Sequence, residues 1–370
     1  MRIVIDRNIP GVDNTFAQHG DIERVDGRSL DRQQLIDADA LITRSITRVD
    51  AALLEGTPVR FVGTATIGTD HLDTVWLEQQ GITWAGAPGC NADAAAQYTL
   101  AMVWLACERL ERSPTDQSVG IIGRGNVGSR LQKLLAVLGI SCVANDPPLA
   151  DSGTSGLVSL DEALSQDIVS LHVPLTRHGP HPTFRMIDPE HLAQMHDSAL
   201  LVNTARGDVL DGAALLSQLR SGRLHAALDV WPGEPGIDPE LVEATTVATP
   251  HVAGYSDDGK LNGTLMVYRA FCDWLDEPPI APNDDGNEGL DFDLQALKNP
   301  ISSTLKKACF VPSHDNSMRC LIGLAPNERA IMFDRLRREY PSRRDFHAWR
   351  IHGLDHNAVL ALKRLGFSCT

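Results

Sequence analysis

The sequence predicts an α/β protein built from parallel sheets. Three observations carry this prediction. Short apolar runs alternate with helical stretches over residues 1–100, the same alternation returns over residues 119–249, and a glycine-rich turn follows the first apolar run of that second region. Such alternation is typical of parallel sheets, because the chain needs a crossover of helical length to return in the same direction.

The first hundred residues contain four apolar runs suited to strands, at Ile3–Ile5, Ala40–Thr43, Arg60–Gly63 and Ile82–Ala85. A helix is predicted near Asp70–Gln80. Parallel sheets bind ligands at the carboxyl ends of their strands. The loop Gly63–His71 lies at such an end, and its hydroxyls and backbone N–H groups could cradle an anion. Helix capping by Thr69 or Asp70 explains the same residues equally well.

The glycine-rich turn lies between a predicted strand and a predicted helix. The strand is Val119–Ile122, the glycines Gly123, Gly125 and Gly128 make the pattern G-x-G-x-x-G, and the amphipathic stretch is Ser129–Leu138. In this pattern the first glycine permits the turn, the second lets the backbone approach a pyrophosphate, and the third lets the helix pack on the strand. The N–H groups of Asn126 and Val127, at the helix start, would face the phosphates.

An acidic residue follows the glycines at the distance expected for a dinucleotide site. The apolar run Ile140–Ala144 ends at Asn145 and Asp146, about twenty residues after the glycines. A carboxylate there accepts hydrogen bonds from the adenosine ribose and repels a 2′-phosphate. Glycines alone also occur in ordinary strand–helix turns. With strand, helix and Asp146 in register, the sequence predicts NAD as the cofactor.

Further elements complete a doubly wound sheet and a terminal module. Strands are predicted at Ile168–Val173, Ala199–Val202, Ala226–Val230 and Thr246–Ala248, with helices near Leu160–Ala163, Pro189–Met195 and Gly212–Leu219. A long helix, Ala94–Leu110, leads into this sheet, and a helix at Leu261–Leu275 is expected to return to the first domain. Pro278–Gly286 has the composition of a linker. The helix Asn327–Glu339, the strand Ala348–Ile351 and the helix Asn357–Leu365 then predict a small α+β module.

Composition excludes several classes of function. The formal net charge of −15 argues against nucleic acid and anionic membrane as partners. The N-terminus lacks the apolar core of a signal peptide, and no stretch is long enough to span a bilayer. Seven cysteines without C-x-x-C pairs indicate reduced thiols and a cytoplasmic protein. No His or Cys spacing suggests a metal site.

Three strand-end loops of the second region carry groups suited to oxidising a hydroxy acid. Arg206 could hold a carboxylate in a bidentate fork. His251 could remove the hydroxyl proton, while Glu234 fixes the tautomer of the imidazole. Taken singly, each has an ordinary explanation: a histidine after proline is usually loop surface, and Arg206 could pair with Asp208 or Asp211.

These segments resemble the D-2-hydroxyacid dehydrogenase family in the glycine fingerprint, Asn203–Gly207, Asp229–Pro235 and Thr249–His251. The resemblance covers about 280 residues in the right order. It implies a flavodoxin-like substrate domain at residues 1–96 and 256–280, with an NAD-binding Rossmann domain inserted at residues 97–255. It also implies a C-terminal α+β dimerisation domain at residues 281–370, and hence a homodimer.

The same resemblance implies roles for individual residues. Arg206, Glu234 and His251 become the catalytic set. The cofactor contacts become Gly123, Gly125, Asn126, Val127, Gly128, Asp146, Thr204, Ala205, Asp229 and Gly254. The substrate contacts become Ser45, Thr66 and Tyr255.

Within the family, the chain looks most like a branch that oxidises a phosphorylated four-carbon 2-hydroxy acid. The matching segments are Arg44–Ser45, Phe61–Thr66, Gly68–His71, Ala87–Ala92, Asn145–Pro148 and His251–Tyr255, with looser matches at Arg343–Arg344 and Leu365–Phe367. Arg44, and Arg343 or Arg344 of a partner subunit, are further candidates for the substrate phosphate. The resemblance has two departures: Gln97 stands where relatives commonly carry Glu, and Val173 replaces a Thr.

Two alternatives remain open at this point. One is another D-2-hydroxyacid dehydrogenase, acting on phosphoglycerate, glycerate or hydroxypyruvate. The other is a non-catalytic NAD-sensing scaffold on the same fold, against which the intact set of Arg206, Glu234 and His251 argues.

Overall fold

The computed structural model describes residues 1–280, 290–293, 299–352 and 356–369. Chain compactness divides them into two units: residues 1–91 with 256–280, and residues 92–255 with the described residues from 290 onward. The structure describes the predicted linker Pro278–Gly286 only as far as residue 280, and residues 281–286 lie outside the described residues. The three-domain division, with its boundaries at residues 96, 255 and 280, stays a prediction.

The first unit contains a five-stranded parallel sheet. Its strands are β1 (Arg2–Asp6), β2 (Asp21–Val25), β3 (Ala40–Thr43), β4 (Phe61–Thr64) and β5 (Thr83–Ala85), with helices α1 (Ala51–Leu54) and α2 (Thr74–Gln79). The strand order is β2-β1-β3-β4-β5 and all pairs are parallel. This is the flavodoxin-like order, so the expected fold of this part is confirmed.

Two elements of the first unit differ from the sequence prediction. Strand β2 was not predicted, because its sequence Asp-Ile-Glu-Arg-Val carries charges at an exposed sheet edge and lacks an apolar run. Helix α2 begins at Thr74 and not near Asp70, because the Asp73 side chain accepts the backbone N–H of Trp76 at 3.0 Å and caps the helix there. Thr69 and Asp70 therefore lie in the loop before the cap.

The second unit contains a six-stranded parallel sheet with helices between its strands. The strands are β6 (Val119–Ile122), β7 (Cys142–Asn145), β8 (Ile168–Leu171), β9 (Leu200–Asn203), β10 (His225–Leu228) and β11 (Val247–Ala248). The helices are α3 (Ala92–Arg109), α4 (Asn126–Val137), α5 (Pro147–Asp151), α6 (Leu160–Leu164), α7 (Pro189–Gln194), α8 (Gly212–Arg220) and α9 (Pro239–Ala244). The predicted doubly wound sheet is confirmed.

The strand order of this sheet creates a crevice. The strand order is β11-β10-β9-β8-β6-β7. Strand β7 lies on one side of β6 and β8 lies on the other, so the order in which strands are added reverses between β6 and β8. Parallel sheets bind ligands outside the carboxyl ends of the strands at such a reversal. The glycine-rich turn follows β6 and therefore lies at this crevice.

After the second sheet the chain returns to the first unit through helix α10 (Asp257–Leu275). The buried side chains of Val267, Tyr268 and Phe271 join the core that β1, β3 and β4 form. Gly63 of β4 packs so closely here that a Cβ would lie 2.3 Å from the Val267 Cγ1 atom.

The described part of the C-terminal region belongs to the second unit. Its elements are β12 (Leu290–Asp293), α11 (Pro300–Cys309), α12 (Val311–Arg319), α13 (Pro326–Arg338), β13 (Trp349–His352), α14 (His356–Arg364) and β14 (Ser368–Cys369). Short 3-10 turns occur in the whole described chain at Phe16–Gln18, Arg32–Leu35, Pro114–Asp116, Gly207–Val209 and Phe346–Ala348. The predicted helices and strand of this module are present within two residues of their expected bounds, and α11 and α12 are additional.

Helices α11 and α12 connect the terminal region with the second sheet. Leu305 and Ala308 of α11 share a buried core with residues of α3, and Met318 of α12 shares one with Leu241 of α9. The described terminal residues are therefore packed as a continuation of the second unit. Of the helices in the described ranges, none combines the length and the apolar character needed to cross a membrane.

Residue His314 of α12 gives the fold a pH-dependent element. Its side chain is buried, with Nδ1 2.8 Å from the Tyr98 hydroxyl, and burial lowers the pKa of His314 to about 4, with Arg343 acting in the same direction. The unfolded chain binds this proton below about pH 6.5. Because the folded state binds it only near pH 4, the stability falls as the pH is lowered through this window.

We therefore expect acidification from pH 7 to pH 5 to cost about 2 kcal/mol of unfolding free energy through His314 alone. The variant His314→Gln removes this titration, and its melting temperature should fall less over the same pH range than that of the wild-type protein. Differential scanning fluorimetry at pH 7, 6 and 5 measures both slopes. Equal slopes would show that His314 is not the titrating group.

Candidate active site

The three glycines of the turn after β6 have the separate roles that their spacing predicts. Gly123 has a φ of +93°, and a Cβ there would lie 2.7 Å from the His172 carbonyl oxygen. A Cβ on Gly128 would lie 2.0 Å from the Gly123 carbonyl oxygen. A Cβ on Gly125 would meet no atom of the described residues within 4 Å. The first and third glycines are thus required by the chain itself, whereas the second faces open space that suits a pyrophosphate.

The start of helix α4 offers free N–H groups beside this space. The helix begins at Asn126, after Gly125, and no side chain caps it. The N–H groups of Asn126 and Val127 belong to its first turn, where helices bind anions. The second unit therefore has the helix start and the open space that a phosphate cradle needs, and the phosphate contacts themselves stay a prediction.

Asp146 ends the strand next to the glycine turn. One carboxylate oxygen accepts the backbone N–H of Arg124 at 2.7 Å, and the other accepts that of Leu149 at 3.1 Å as the cap of α5. These bonds fix the carboxylate beside the glycine loop while leaving it partly exposed. A carboxylate has about four acceptor positions, so positions remain for the two ribose hydroxyls.

The loops that carry Arg206, Glu234 and His251 follow three adjacent strands. They leave the carboxyl ends of β9, β10 and β11, which are neighbours in the sheet. The backbone pairing continues past the strands: the Asp229 N–H donates to Asn203 O at 2.9 Å and the His251 N–H donates to Asp229 O at 2.7 Å. All three loops therefore emerge at one edge of the second sheet.

His251 and Glu234 form a hydrogen-bonded pair. The His251 Nδ1 atom lies 2.7 Å from Glu234 Oε2, and the other carboxylate oxygen accepts the Trp231 N–H at 2.7 Å. The two side chains are 29% and 17% exposed. A carboxylate accepts only, so Nδ1 carries the proton toward Glu234 and Nε2 keeps a lone pair for a substrate. The interpretation of His251 as ordinary loop surface is therefore wrong.

Asp229 is fully buried and holds the chain on both sides of Val252. Its Oδ1 atom accepts the Thr249 hydroxyl at 2.6 Å and the Val252 N–H at 3.0 Å, and its Oδ2 atom accepts the Ala253 N–H at 2.9 Å. The Trp231 indole N–H adds a bond to Thr249 O at 2.9 Å. These bonds join the loop after β10 to the loop after β11.

Arg206 is exposed at the same sheet edge. Its Nη1 atom donates to Ala205 O at 2.7 Å, and the carboxylate of Asp211 lies near Arg185 instead, at 3.8 Å. Among the described residues, Arg206 thus lacks the ion pair with Asp208 or Asp211 that would have given this arginine a purely structural role. Gly207 allows its loop to touch the next one, because a Cβ there would lie 2.0 Å from Trp231 O.

The other predicted cofactor contacts lie in the same unit. Thr204 Oγ1 is 2.8 Å from Thr99 Oγ1 on α3, and the Ala205 N–H donates to Asn203 Oδ1 at 3.0 Å. Gly254 and Tyr255 end the loop that begins at His251 and are partly exposed.

Two predicted substrate residues, Ser45 and Thr66, lie in the first unit, after β3 and β4. Thr66 Oγ1 donates to Gly68 O at 3.2 Å and lies 2.8 Å from Thr64 Oγ1, which in turn lies 2.9 Å from His71 Nε2. Burial holds the pKa of His71 below its ordinary value, although the nearby Asp70 acts the other way. A neutral imidazole therefore ends this hydroxyl chain.

Of the three arginines considered for the substrate phosphate, Arg44 and Arg343 are engaged within the chain, and the candidacy of Arg344 stays a prediction. Arg44 Nε lies 3.1 Å from a carboxylate oxygen of the buried Asp6, which neutralises its charge. Arg343 is 1% exposed and donates to backbone carbonyl groups of its own chain. Its predicted contact with a partner's substrate is therefore wrong, since a buried guanidinium cannot reach a second chain.

Gln97, one of the two departures from the resemblance, keeps a hydrogen-bond partner in the structure. Its Oε1 atom accepts the Phe346 N–H at 3.0 Å, a bond that a glutamate would also make. Sequence reasoning missed the contribution of Asp315 and Arg343 to this region. Asp315 stands in no recognised motif, and the segment with Arg343 was given a different role. Both residues act across long sequence separations, so no local signal could have located these contacts.

Together these features define an NAD-linked dehydrogenase of 2-hydroxy acids. A phosphate cradle lies at the crevice of a Rossmann sheet, and a histidine–carboxylate pair and an exposed arginine share the edge formed by β9, β10 and β11. Residues 91–253 match the family described as the D-isomer specific 2-hydroxyacid dehydrogenase, NAD binding domain. NAD is accordingly the cofactor.

Comparison with whole proteins narrows this class. The chain is 45% identical to the erythronate-4-phosphate dehydrogenase of Marinobacter nauticus, over 99% of both chains, and 42% identical to that of Salinibacter ruber, over 95% and 94%. It therefore belongs to the erythronate-4-phosphate dehydrogenase family. The NAD⁺-bound 3-phosphoglycerate dehydrogenase of Entamoeba histolytica shares its fold, with 23% identity, a TM-score of 0.63, and coverage of 75% of this chain and 95% of that one.

The glycine turn yields a paired prediction. Gly125→Ala should keep the wild-type melting temperature within about 2 °C, because its new methyl group meets no protein atom. It should weaken NAD binding about tenfold or more, because that methyl group occupies the space beside the helix start. Isothermal titration calorimetry with NAD measures the affinity.

The matched variant is Gly128→Ala, whose methyl group meets the Gly123 backbone. It should lower the melting temperature clearly. If Gly125→Ala bound NAD as tightly as the wild-type protein, the pyrophosphate would not lie against this turn.

Proposed function

We propose that the protein catalyses the NAD-dependent oxidation of 4-phospho-D-erythronate to 2-oxo-3-hydroxy-4-phosphobutanoate, a step in pyridoxal phosphate biosynthesis. The observation that carries the proposal is the near-full-length identity to erythronate-4-phosphate dehydrogenases, in a chain whose histidine–carboxylate pair is intact. Because identity of this extent includes the terminal region, it distinguishes this branch from dehydrogenases that match about three quarters of the chain.

In the proposed reaction His251 is the general base. Its Nε2 lone pair takes the proton of the C2 hydroxyl group, and the imidazolium that forms is stabilised by Glu234 through Nδ1. NAD held by the Rossmann unit would supply the hydride acceptor for the hydrogen at C2. Glu234 is held in place by the Trp231 N–H, so the tautomer of His251 is set before the substrate arrives.

Arg206 is assigned to the substrate carboxylate. A guanidinium makes two parallel hydrogen bonds to a carboxylate and keeps its charge at every relevant pH. This local positive charge also offsets the repulsion that a protein of net charge −15 exerts on a substrate carrying both a carboxylate and a phosphate. We assign the remaining substrate contacts to the hydroxyl groups of Ser45, Thr66 and Tyr255.

The cofactor contacts that we propose are those of the Rossmann unit. They are the phosphate cradle (Gly123, Gly125, Asn126, Val127 and Gly128), the ribose acceptor (Asp146), and the groups at the nicotinamide end (Thr204, Ala205, Asp229 and Gly254). Asp229 is buried, so we propose that it acts on the cofactor mainly by holding the backbone of Val252 and Ala253 next to Gly254.

We further propose that the protein is a cytoplasmic homodimer associated through the C-terminal region. Large apolar side chains are exposed there, with Ile331 of α13 at 65% and Leu360 of α14 at 44%. A second copy of the chain would cover such side chains. The free cysteines of the described residues suit a reducing compartment.

His251→Ala should reduce turnover of 4-phospho-D-erythronate about 10²- to 10⁴-fold, because a general base is lost, while NAD binding stays within a few-fold of wild type. The control is His191→Ala, which breaks another histidine–carboxylate pair of the same unit, with Nδ1 2.8 Å from Asp188, and should keep full activity. Absorbance of the reduced cofactor reports the rate, and fluorescence titration reports NAD binding.

A panel of acids tests the substrate in the same assay. We expect 4-phospho-D-erythronate to have a higher kcat/KM than 3-phosphoglycerate, glycerate or the reverse reaction with hydroxypyruvate. A preference for 3-phosphoglycerate would mean that the protein acts as a different 2-hydroxyacid dehydrogenase. Turnover by His251→Ala close to wild type would rule out the proposed base, and an absence of any oxidation would favour the NAD-sensing scaffold.

A further inference from the structure

The backbone between Ala248 and Tyr255 carries His251, and buried charged side chains of the terminal region bind this backbone in addition to Asp229. Arg343 is 1% exposed, and its Nη2 atom donates to Ala253 O at 2.6 Å while its Nε atom donates to Tyr255 O at 2.7 Å. The Ala253 peptide is thus bound twice, by Asp229 through its N–H and by Arg343 through its carbonyl group.

The planar guanidinium suits this position in a way that other cations do not. Its fork reaches two carbonyl groups at once. Two further N–H groups point toward Ala94 O at 3.4 Å, and the guanidinium carbon lies 5.0 Å from the Tyr98 ring centre. The charge is therefore surrounded by protein dipoles, a ring face and the nearby buried Asp345 in place of water.

A second residue of the terminal region, Asp315, is hydrogen-bonded to the start of the same segment. Asp315 of α12 is 2% exposed, and its Oδ1 atom accepts the Ala248 N–H at 2.7 Å. Arg109 donates to the other carboxylate oxygen at 2.7 Å, and Arg319 donates to Oδ1 at 3.1 Å. Asp315 thus binds the segment at Ala248, at the end of β11, and Arg343 binds it at Ala253 and Tyr255, five and seven residues further along.

The residue between these two anchors needs such support. His251 has a φ of +57°, in the left-handed region that residues other than glycine rarely adopt. A backbone in that region persists only when surrounding contacts determine it. The bonds of Asp229, Asp315 and Arg343 supply these contacts on both sides of His251.

We infer that Arg343 and Asp315 are positioning residues for hydride transfer, and that the C-terminal region serves catalysis by fixing the loop that carries His251. This inference rests on the proposed role of His251 as the base. Arg343 acts through the backbone of Ala253 and Tyr255, so its loss should misplace the imidazole. Arg206 lies on a different loop and should continue to bind the substrate carboxylate.

The test compares Arg343→Met with a matched control, Arg329→Met. Arg329 is also a buried arginine of the terminal region, at 9% exposed, and donates to Leu324 O at 3.1 Å away from the loop. Melting temperature, NAD affinity, kcat and KM are measured for each variant well below the lower melting temperature. The substrate is whichever acid the wild-type enzyme oxidises best, so a revised substrate changes the proposed function and leaves this comparison intact.

We expect kcat of Arg343→Met to fall about 10²-fold, as a displacement of a catalytic group by an ångström would cause, with KM changed less than about threefold. The primary deuterium isotope effect on kcat, measured with substrate deuterated at C2, should rise. Arg329→Met should keep kcat within about twofold even if its melting temperature falls. Arg343→Lys keeps the charge but not the fork, so it should recover kcat only in part.

Equal kcat values for Arg343→Met and Arg329→Met would overturn the inference, because Arg343 would then contribute stability alone. A loss confined to KM would overturn it as well. Should Arg343→Met not fold, Arg343→Lys is compared with Arg329→Met in its place, since it retains the buried charge. A lower kcat for Arg343→Lys supports the inference, and an equal kcat or a loss confined to KM overturns it.

Discussion

The buried carboxylate of Asp229 is the constraint on which the catalytic arrangement depends. The Asp229 side chain accepts hydrogen bonds from one hydroxyl and two backbone N–H groups of the segment Thr249–Ala253. The Asp229 backbone also bonds to Asn203 on one side and to His251 on the other. A buried anion is tolerated only when donors surround it. The loop must therefore close over Asp229, and closure brings the His251 ring to Glu234.

The glycine turn and the catalytic loops are two consequences of one sheet. Strands β6 and β8 flank the point where the strand order reverses, which is where such sheets bind ligands. The loops after β9, β10 and β11 carry Arg206, Glu234 and His251 along the same edge. The geometry explains why the chemistry needs few residues. The sheet fixes the directions of the strand ends, and each loop adds only one reacting or binding side chain.

Much of this arrangement could be predicted from the sequence. The apolar runs gave the central strands nearly to the residue, and the glycine spacing located the phosphate cradle, because both patterns are local. Strand β2 was missed because its charged edge sequence has no apolar period. Helices α11 and α12, and the roles of Asp315 and Arg343, were missed because they depend on contacts between residues far apart in the chain. The engagement of Arg44 by Asp6 was also not visible, since 38 positions separate them.

Amide hydrogen exchange at Val252 and Ala253 tests the central claim most directly. If Asp229 organises the loop, Asp229→Asn, which cannot accept from all three donors, should expose peptides covering residues 248–255 to exchange at least tenfold faster than in the wild-type protein. Peptides covering β6 should keep their protection, and hydride transfer should be lost in parallel. Unchanged exchange of residues 248–255, with activity retained, would contradict the account.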